Sequence, residues 1–191
     1  MKELLGLIAV LLGIIGIIPY VKDIYKGKTK PHLFSNLIWA VVTTIAFFTQ
    51  VAKGSGPASW TTLVMALLTI YITILCFKYG TQDVTKLDTF FLALGLLSIV
   101  PWILTKDPTI SVVIATLIDV FGFIPTIRKT WKDPGSETLF TWNTNVLRHA
   151  ISLFAIRNFV LATYIYPLAL LCMNILTVSA IIFGKRKTAN S

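Results

Sequence analysis

Two triplets of polar and aromatic residues have the same helical spacing, i, i+3 and i+7, inside apolar stretches of the chain: Asn36, Trp39 and Thr43, then Trp142, Asn145 and His149. Residues at this spacing share one face of a helix. An indole ring offers flat apolar surface with one N–H donor, and an amide offers donors and an acceptor. Two such faces turned toward each other predict a cavity that binds a small polar solute. The alternative left open is that the tryptophans lie at the membrane interface and the asparagines join neighbouring helices.

Asp119 and Arg148 are ionisable residues within apolar stretches, where a charge is costly and predicts a functional site. Asp119 precedes Pro125 by six residues, about 9 Å along a helix. Arg148 follows Phe140 by eight residues, which gives it a comparable depth in an antiparallel helix. One interpretation is an ion pair that joins these helices. The other is an unpaired Asp119 that carries a proton or contacts the substrate. We expect His149, a lone histidine, to be hydrogen bonded in the bundle rather than to relay protons.

No pattern of residues predicts a metal, a cofactor or an enzyme active site. Cys76 and Cys172 lie in apolar stretches without metal-ligand spacing, and His32 lies in a loop. The chain has no glycine-rich phosphate loop and no serine–histidine arrangement. We therefore expect neither a metal nor a cofactor, and no enzymatic activity.

The composition of the 191-residue chain is that of an integral membrane protein. Hydrophobic residues make up 55% and charged residues 13%, and the mean hydropathy is +0.80, whereas soluble domains carry roughly a quarter charged residues. A soluble domain of this length could not bury so much apolar surface in one core. The net charge of +9 does not indicate a nucleic-acid partner, because the Lys and Arg residues lie almost entirely in short connections between apolar stretches.

A membrane-spanning helix needs about 20 mostly apolar residues, and this rule predicts seven spans, at 3–21, 33–51, 57–79, 88–105, 108–126, 138–157 and 159–184. The first stretch lacks the small-residue cleavage site of a signal peptide, so we interpret it as a span. Connections after the odd-numbered spans contain twelve Lys and Arg residues, and the opposite side contains four. This asymmetry predicts a multi-pass protein of the cell (inner) membrane with its N-terminus outside and its C-terminus in the cytoplasm.

The chain contains an internal repeat at a shift of 106 residues. Nine of the 27 residues from 8 to 34 are identical to their counterparts at 114–140. The predicted fold is an all-α membrane protein with seven transmembrane helices arranged 3+1+3. Two parallel three-helix bundles, 1–80 and 108–191, are joined by an inversion linker helix within 81–107. A substrate site is expected at the interface of the repeats, near the membrane midplane.

This arrangement resembles the SWEET and PQ-loop superfamily of seven-helix membrane transporters, as do the paired segments that begin at Pro19 and Pro125 and continue into Leu-Phe-Ser/Thr. Tyr20 and Thr126 stand where the superfamily's name calls for glutamine. The resemblance implies that the two prolines are hinges about which the bundles bend during alternating access. It also implies that Asn174 is the substrate-contacting asparagine of the seventh helix.

The function predicted from these residues is transport of a small polar solute, with proton coupling through Asp119 left open. The resemblance favours a sugar, although Leu68 stands where the third helix of the family places a second asparagine, with Thr69 and Tyr71 as candidate substitutes. A vitamin such as nicotinamide riboside, or an amino acid, is the alternative substrate. A non-transporting receptor similar to the KDEL receptor, with Arg148 capturing a carboxylate, is the rival class. The expected partners are a small-molecule substrate and the lipid bilayer, with a homo-oligomer left open and no nucleic acid.

Overall fold

The structure, a computed structural model, describes residues 1–27, 31, 33–80, 86–132 and 139–189, and these residues form α-helices joined by short loops. The helices are α1 (Lys2–Tyr25), α2 (Leu33–Ala52), α3 (Ala58–Tyr79), α4 (Lys86–Leu97), α5 (Val100–Thr105), α6 (Thr109–Lys132), α7 (Leu139–Ala155) and α8 (Leu161–Ala189). No strand occurs in these ranges, which confirms the predicted all-α class.

Four of the described helices are long and apolar enough to cross a membrane: α1, α2, α3 and the Leu161–Lys185 part of α8. Their length and composition fit a membrane protein. Helix α7 has only 17 residues, and it carries several of the polar and charged residues that the sequence singled out, which makes it less apolar than those four. The number of spans therefore remains a prediction.

The fourth predicted span, 88–105, is not one continuous helix. Helix α4 ends at Leu97 and α5 begins at Val100. Pro101 explains the interruption, because its ring nitrogen has no hydrogen to donate to the Leu97 carbonyl and its ring crowds that carbonyl. The hydroxyl of Ser98 donates a 2.7 Å hydrogen bond to a carbonyl of the last turn of α4, which satisfies one of the acceptors that the helix end leaves open.

Helix α1 buries its small residues and exposes its large ones. Its buried residues include Gly6, Ala9, Gly13 and Gly16. Its exposed residues include Leu4, Leu7, Leu11, Ile15 and Ile18. The exposed aliphatic surface fits contact with lipid, and the small buried residues let neighbouring helix backbones approach closely.

We call α1, α2 and α3 the first trio of helices and α6, α7 and α8 the second trio. Helix α3 packs against both α1 and α2, and α8 packs against both α6 and α7. Between the trios, α1 packs against α7 and α2 packs against α6. Helix α4 packs against α2 and α6. Exchanging the two trios therefore leaves the main pattern of helix pairs unchanged.

Polar contacts join three loops at one end of the bundle: 53–57, 106–108 and 156–160. Lys53 forms a 3.0 Å ion pair with Asp107, and the Asn158 side chain donates a 2.8 Å hydrogen bond to the Lys53 carbonyl. Arg157 forms an ion pair with Glu3 in the first turn of α1. We call these three loops, together with the first turn of α1, the tied end of the bundle.

Candidate functional site

A cavity of about 260 Å³ lies between the two trios of helices. All nine residues that the sequence selected for binding or for charge line it: Asn36, Trp39, Thr43, Asp119, Trp142, Asn145, Arg148, His149 and Asn174. On α7 its wall runs from Thr141 to Ser152, which is about 16 Å at the rise of a helix. The structure thus brings the selected residues together, and their roles in binding remain predictions.

The aromatic side chains of the predicted faces lie on the inner side of their helices. Trp142 packs edge-on against Phe123 of α6, with a ring-centroid distance of 5.9 Å. Trp39 lies beside Gly122, where an added Cβ would be 3.4 Å from the indole nitrogen. A tryptophan of an interface belt would face lipid instead. Trp39 and Trp142 therefore offer their rings to the cavity.

Asp119 ends a directed chain of hydrogen bonds. The carboxyl group lies on α6 and is 4% exposed. Its Oδ2 accepts a 2.8 Å hydrogen bond from the Tyr166 hydroxyl, and the Tyr166 oxygen lies 3.1 Å from the Thr43 hydroxyl. Because Tyr166 donates its only proton to Asp119, Thr43 is the donor in the second contact. The chain joins α2, α8 and α6 at one wall of the cavity.

Arg148 lies on another wall of the cavity, on α7. Its Nη2 donates a 2.9 Å hydrogen bond to Nε2 of His149, and because arginine only donates, this histidine ring is neutral with its proton on Nδ1. The Nε of Arg148 is buried and has no hydrogen-bond partner within the described chain. The aliphatic part of Arg148 passes over Gly13 of α1, where an added Cβ would lie 3.0 Å from the arginine Cδ.

The two buried charges do not pair with each other. No ion pair between described residues joins Asp119 to Arg148. Asp119 is held instead by Tyr166, and Arg148 is held by His149. Of the two interpretations of Asp119 drawn from the sequence, the geometry is that of the unpaired carboxylate. Both charges therefore have capacity left for a group inside the cavity.

Asn174 presents an unused acceptor in the same region. Its Nδ2 donates a 2.6 Å hydrogen bond to a carbonyl one turn earlier, and its buried Oδ1 has no partner in the described part of the chain. Of the two candidate substitutes on α3, Thr69 lines the cavity, with its hydroxyl bonded to the Met65 carbonyl. Tyr71 is exposed and lies with its hydroxyl 2.5 Å from that of Tyr25, so it is not part of the wall.

Sequence reasoning missed Tyr166, the residue that holds Asp119. A signal was available, because Tyr166, Leu170 and Asn174 are spaced by four residues and share one face of α8. It also missed hydroxyl residues on the wall, among them Thr61, Thr62 and Ser152. These carried no signal, because threonine and serine are frequent on several faces of these helices.

The structure describes Pro19, the first predicted hinge, more fully than Pro125, the second. Pro19 lies between the cavity-lining residues Ile17 and Tyr20, and α1 continues through it to its end. Helix α6 continues through position 125, but the side chain of Pro125 lies outside the described residues. Movement at either proline remains a prediction.

The chemistry that the cavity can perform is binding through charge, hydrogen bonds and aromatic surface. Within the described residues, no group of three or more His, Cys, Asp or Glu side chains could hold a metal ion. No protein-family model, no curated protein and no solved structure matches this chain.

Proposed function

We propose that this protein is a membrane carrier that moves a small polar solute by alternating access between two three-helix bundles, in the manner of the SWEET and PQ-loop superfamily. The observation that carries the proposal is the cavity, because both trios of helices contribute polar and charged side chains to its wall. Ionisable groups and amides inside an otherwise apolar bundle are costly, and such groups mark substrate paths in membrane proteins.

The helix packing supports the 3+1+3 arrangement that this mechanism requires. A shift of 106 residues relates α1 to α6, α2 to α7 and α3 to α8. The contact between α1 and α7 then corresponds to the contact between α2 and α6, and both are present. In this proposal, 1–80 and 108–191 are the bundles, and 81–107 is the linker, which contains α4 and α5.

The contacts at the tied end support an alternating-access state in which the cavity is closed at that end. The Lys53–Asp107 pair joins the loop after α2 to the last residue of the linker, and the Glu3–Arg157 pair joins the first turn of α1 to the loop between α7 and α8. In the proposed topology this end faces the outside of the cell (inner) membrane, with the N-terminus outside and the C-terminus in the cytoplasm. Opening the cavity to the outside then requires these pairs to separate while the bundles bend near Pro19 and Pro125.

Two classes of function fit a solute cavity of this kind. For a carrier, the indole rings of Trp39 and Trp142 offer surfaces for a sugar ring or a flat vitamin such as nicotinamide riboside. For a receptor that binds without transport, the unpartnered Nε of Arg148 is the favouring observation, because a buried guanidinium is well suited to a carboxylate. We place the carrier first because the cavity is shared by both trios.

Flux through proteoliposomes separates the carrier from the receptor. The purified protein is first screened by thermal shift against sugars, amino acids and vitamins, because a ligand at 100 times its Kd stabilises the folded state by about 2.7 kcal/mol. The strongest ligand is then offered in radiolabelled form to vesicles with and without the protein. A carrier accumulates label against an unlabelled internal pool. Binding without any protein-dependent flux would establish the receptor.

Replacement of Asp119 tests proton coupling. Asp119→Asn keeps an oxygen that accepts from Tyr166 but has no proton to exchange, so a coupled carrier loses the pH dependence of uptake. Asp23→Asn is the matched control, because Asp23 belongs to the last turn of α1 and is not part of the cavity wall. Full uptake with unchanged pH dependence in Asp119→Asn would exclude the proton-carrier role and leave facilitated movement.

A further inference from the structure

The cavity contains one negative and one positive side chain that are buried and are not in direct contact. Asp119 is 4% exposed and Arg148 is 5% exposed. No ion pair joins them in the described part of the chain. His149 adds no charge, because its Nε2 accepts a hydrogen bond from Arg148. The empty cavity thus has a net charge near zero, and its two opposite charges attract each other across it without a direct contact.

The two charges are held by different sets of helices. Asp119 is bonded to Tyr166 of α8, which in turn contacts Thr43 of α2. Arg148 lies against Gly13 of α1 and its Nε remains unpartnered. A solute in the cavity can therefore meet an acceptor on α6 and a donor on α7.

A solute whose charges are opposite to those of Asp119 and Arg148 lowers the free-energy cost of burying these two side chains. A buried charge without an opposite charge is strongly unfavourable in a medium of low dielectric constant. A neutral sugar leaves each charge with only the distant attraction of the other, and a simple anion or cation gives a direct counter-charge to only one of them. A molecule with one carboxylate and one ammonium group compensates both, and it leaves the net charge of the loaded cavity equal to that of the empty one.

We propose that the cavity binds a small zwitterion of the α-amino acid class, with its carboxylate at Arg148 and its ammonium group at Asp119. This inference rests on the proposed carrier function, because it names the substrate class of the same site. The guanidinium Nε–H donates to the carboxylate, and the ammonium N–H groups donate to the Asp119 oxygens. Trp39 and Trp142 contact the rest of the solute. A volume of about 260 Å³ suits a small molecule, since pockets for drug-sized ligands start near 300 Å³.

The first test varies the ligand and leaves the protein unchanged. The probe is a mixture of the ¹⁴C-labelled neutral L-α-amino acids, bound to the purified protein in detergent. Three unlabelled competitors are compared with the unlabelled amino acids: the amino-acid amides, which lack the carboxylate; the N-acetyl amino acids, which lack the ammonium group; and D-glucose. A competitor that lacks either charge is expected to compete at least 30-fold more weakly than the amino acids. This factor corresponds to about 2 kcal/mol, the lower bound for losing one partner of a buried charge pair.

The second test varies the protein. Arg148→Gln and Asp119→Asn should each weaken binding of the amino-acid mixture at least 30-fold, by the same reasoning. Lys22→Gln is the matched control for Arg148→Gln, and Asp23→Asn is the matched control for Asp119→Asn. Each control removes a charge of the same sign from the last turn of α1, outside the cavity wall. Both control variants should bind like the unmodified protein. Arg148→Lys keeps the charge and should bind more tightly than Arg148→Gln, which separates charge loss from misfolding.

The outcomes distinguish this inference from the carrier proposal. The zwitterion assignment would be overturned if the amides or the N-acetyl derivatives competed as well as the unlabelled amino acids. Binding and protein-dependent flux of glucose, with no amino-acid binding, would overturn it as well while the carrier proposal stands. Amino-acid binding that needs both charges, without any flux into proteoliposomes, supports the zwitterion site and overturns the carrier.

Discussion

Tyr166 controls the arrangement of the cavity at the scale of single residues. It is 3% exposed and is the hydrogen-bond donor to the Asp119 carboxylate. Without that donor, the carboxylate would be buried with no partner from the described chain. The orientation of Asp119 toward the cavity therefore depends on a residue of another helix.

We expect Tyr166→Phe to lower the free energy of unfolding in detergent by about 1–3 kcal/mol, the cost of leaving a buried polar group unsatisfied. The measurement is a thermal or denaturant melt of the purified protein. Tyr164→Phe is the matched control on the same helix, since the ring of Tyr164 stacks on Phe159 at 4.8 Å and keeps that contact without its hydroxyl. Equal stability of the two variants would contradict a structural role for the Tyr166 hydroxyl.

At the scale of elements, small residues set how closely α1 approaches α7. Gly16 lies against Thr144, and the Gly16 carbonyl accepts a 3.1 Å hydrogen bond from the Thr141 hydroxyl. Gly13 leaves the room through which the Arg148 side chain passes. The position of Arg148 thus depends on the absence of a side chain on the facing helix, in addition to its own place on α7.

Gly16→Ala should destabilise the protein, because an added Cβ would lie 3.1 Å from the Thr144 Cβ and closer still to its hydroxyl oxygen. Overpacking costs about 1–3 kcal/mol, which exceeds the roughly 1 kcal/mol that alanine gains over glycine in a helix. Gly95→Ala on α4 is the control, because its nearest neighbours, the methyl groups of Val41 and Val42, are 3.8 Å away. Its melting temperature should be unchanged or higher. A Gly16→Ala variant as stable as Gly95→Ala would refute close packing of α1 on α7.

The tied end acts at the scale of the whole molecule, because it joins loops from both trios. Asp107 accepts hydrogen bonds from the Thr109 hydroxyl and N–H at 2.6 Å and 2.9 Å. It also pairs with Lys53. The Thr109 hydrogen bonds, followed by Lys53, lower the pKa of Asp107 from 3.8 to about 2.

Because the pKa of Asp107 is lower in the folded protein, its contribution to stability is full above its ordinary pKa and is lost as the pH falls through the folded value. The difference in melting temperature between the unmodified protein and Asp107→Asn should therefore be constant down to about pH 4 and shrink between pH 4 and pH 2. Lys53→Gln should give a smaller difference, because the Thr109 hydrogen bonds remain. A difference for Asp107→Asn that persists below pH 2 would contradict the ionised, hydrogen-bonded carboxylate.

Local patterns in the sequence determined much of this molecule. Apolar stretches of helical length and the paucity of charge made it all-helical and suited to a membrane, and the i, i+3, i+7 spacing placed Asn36, Trp39 and Thr43 on one face. The repeat then pointed to the equivalent face on α7, and both faces line the cavity. Periodicity and internal similarity are properties of consecutive residues, so they can be read without coordinates.

Only the tertiary structure decided which groups meet. The sequence allowed Asp119 to pair with Arg148, but the packing of α8 against α6 places Tyr166 at the carboxylate, and Gly13 lets Arg148 lie along α1. The helix break before Pro101 was similarly open, since prolines also occur inside α1 and α8 without interrupting them. Hydrogen-bond partners from distant helices depend on how those helices are rotated and spaced, and neither quantity is encoded in the spacing of residues along one helix.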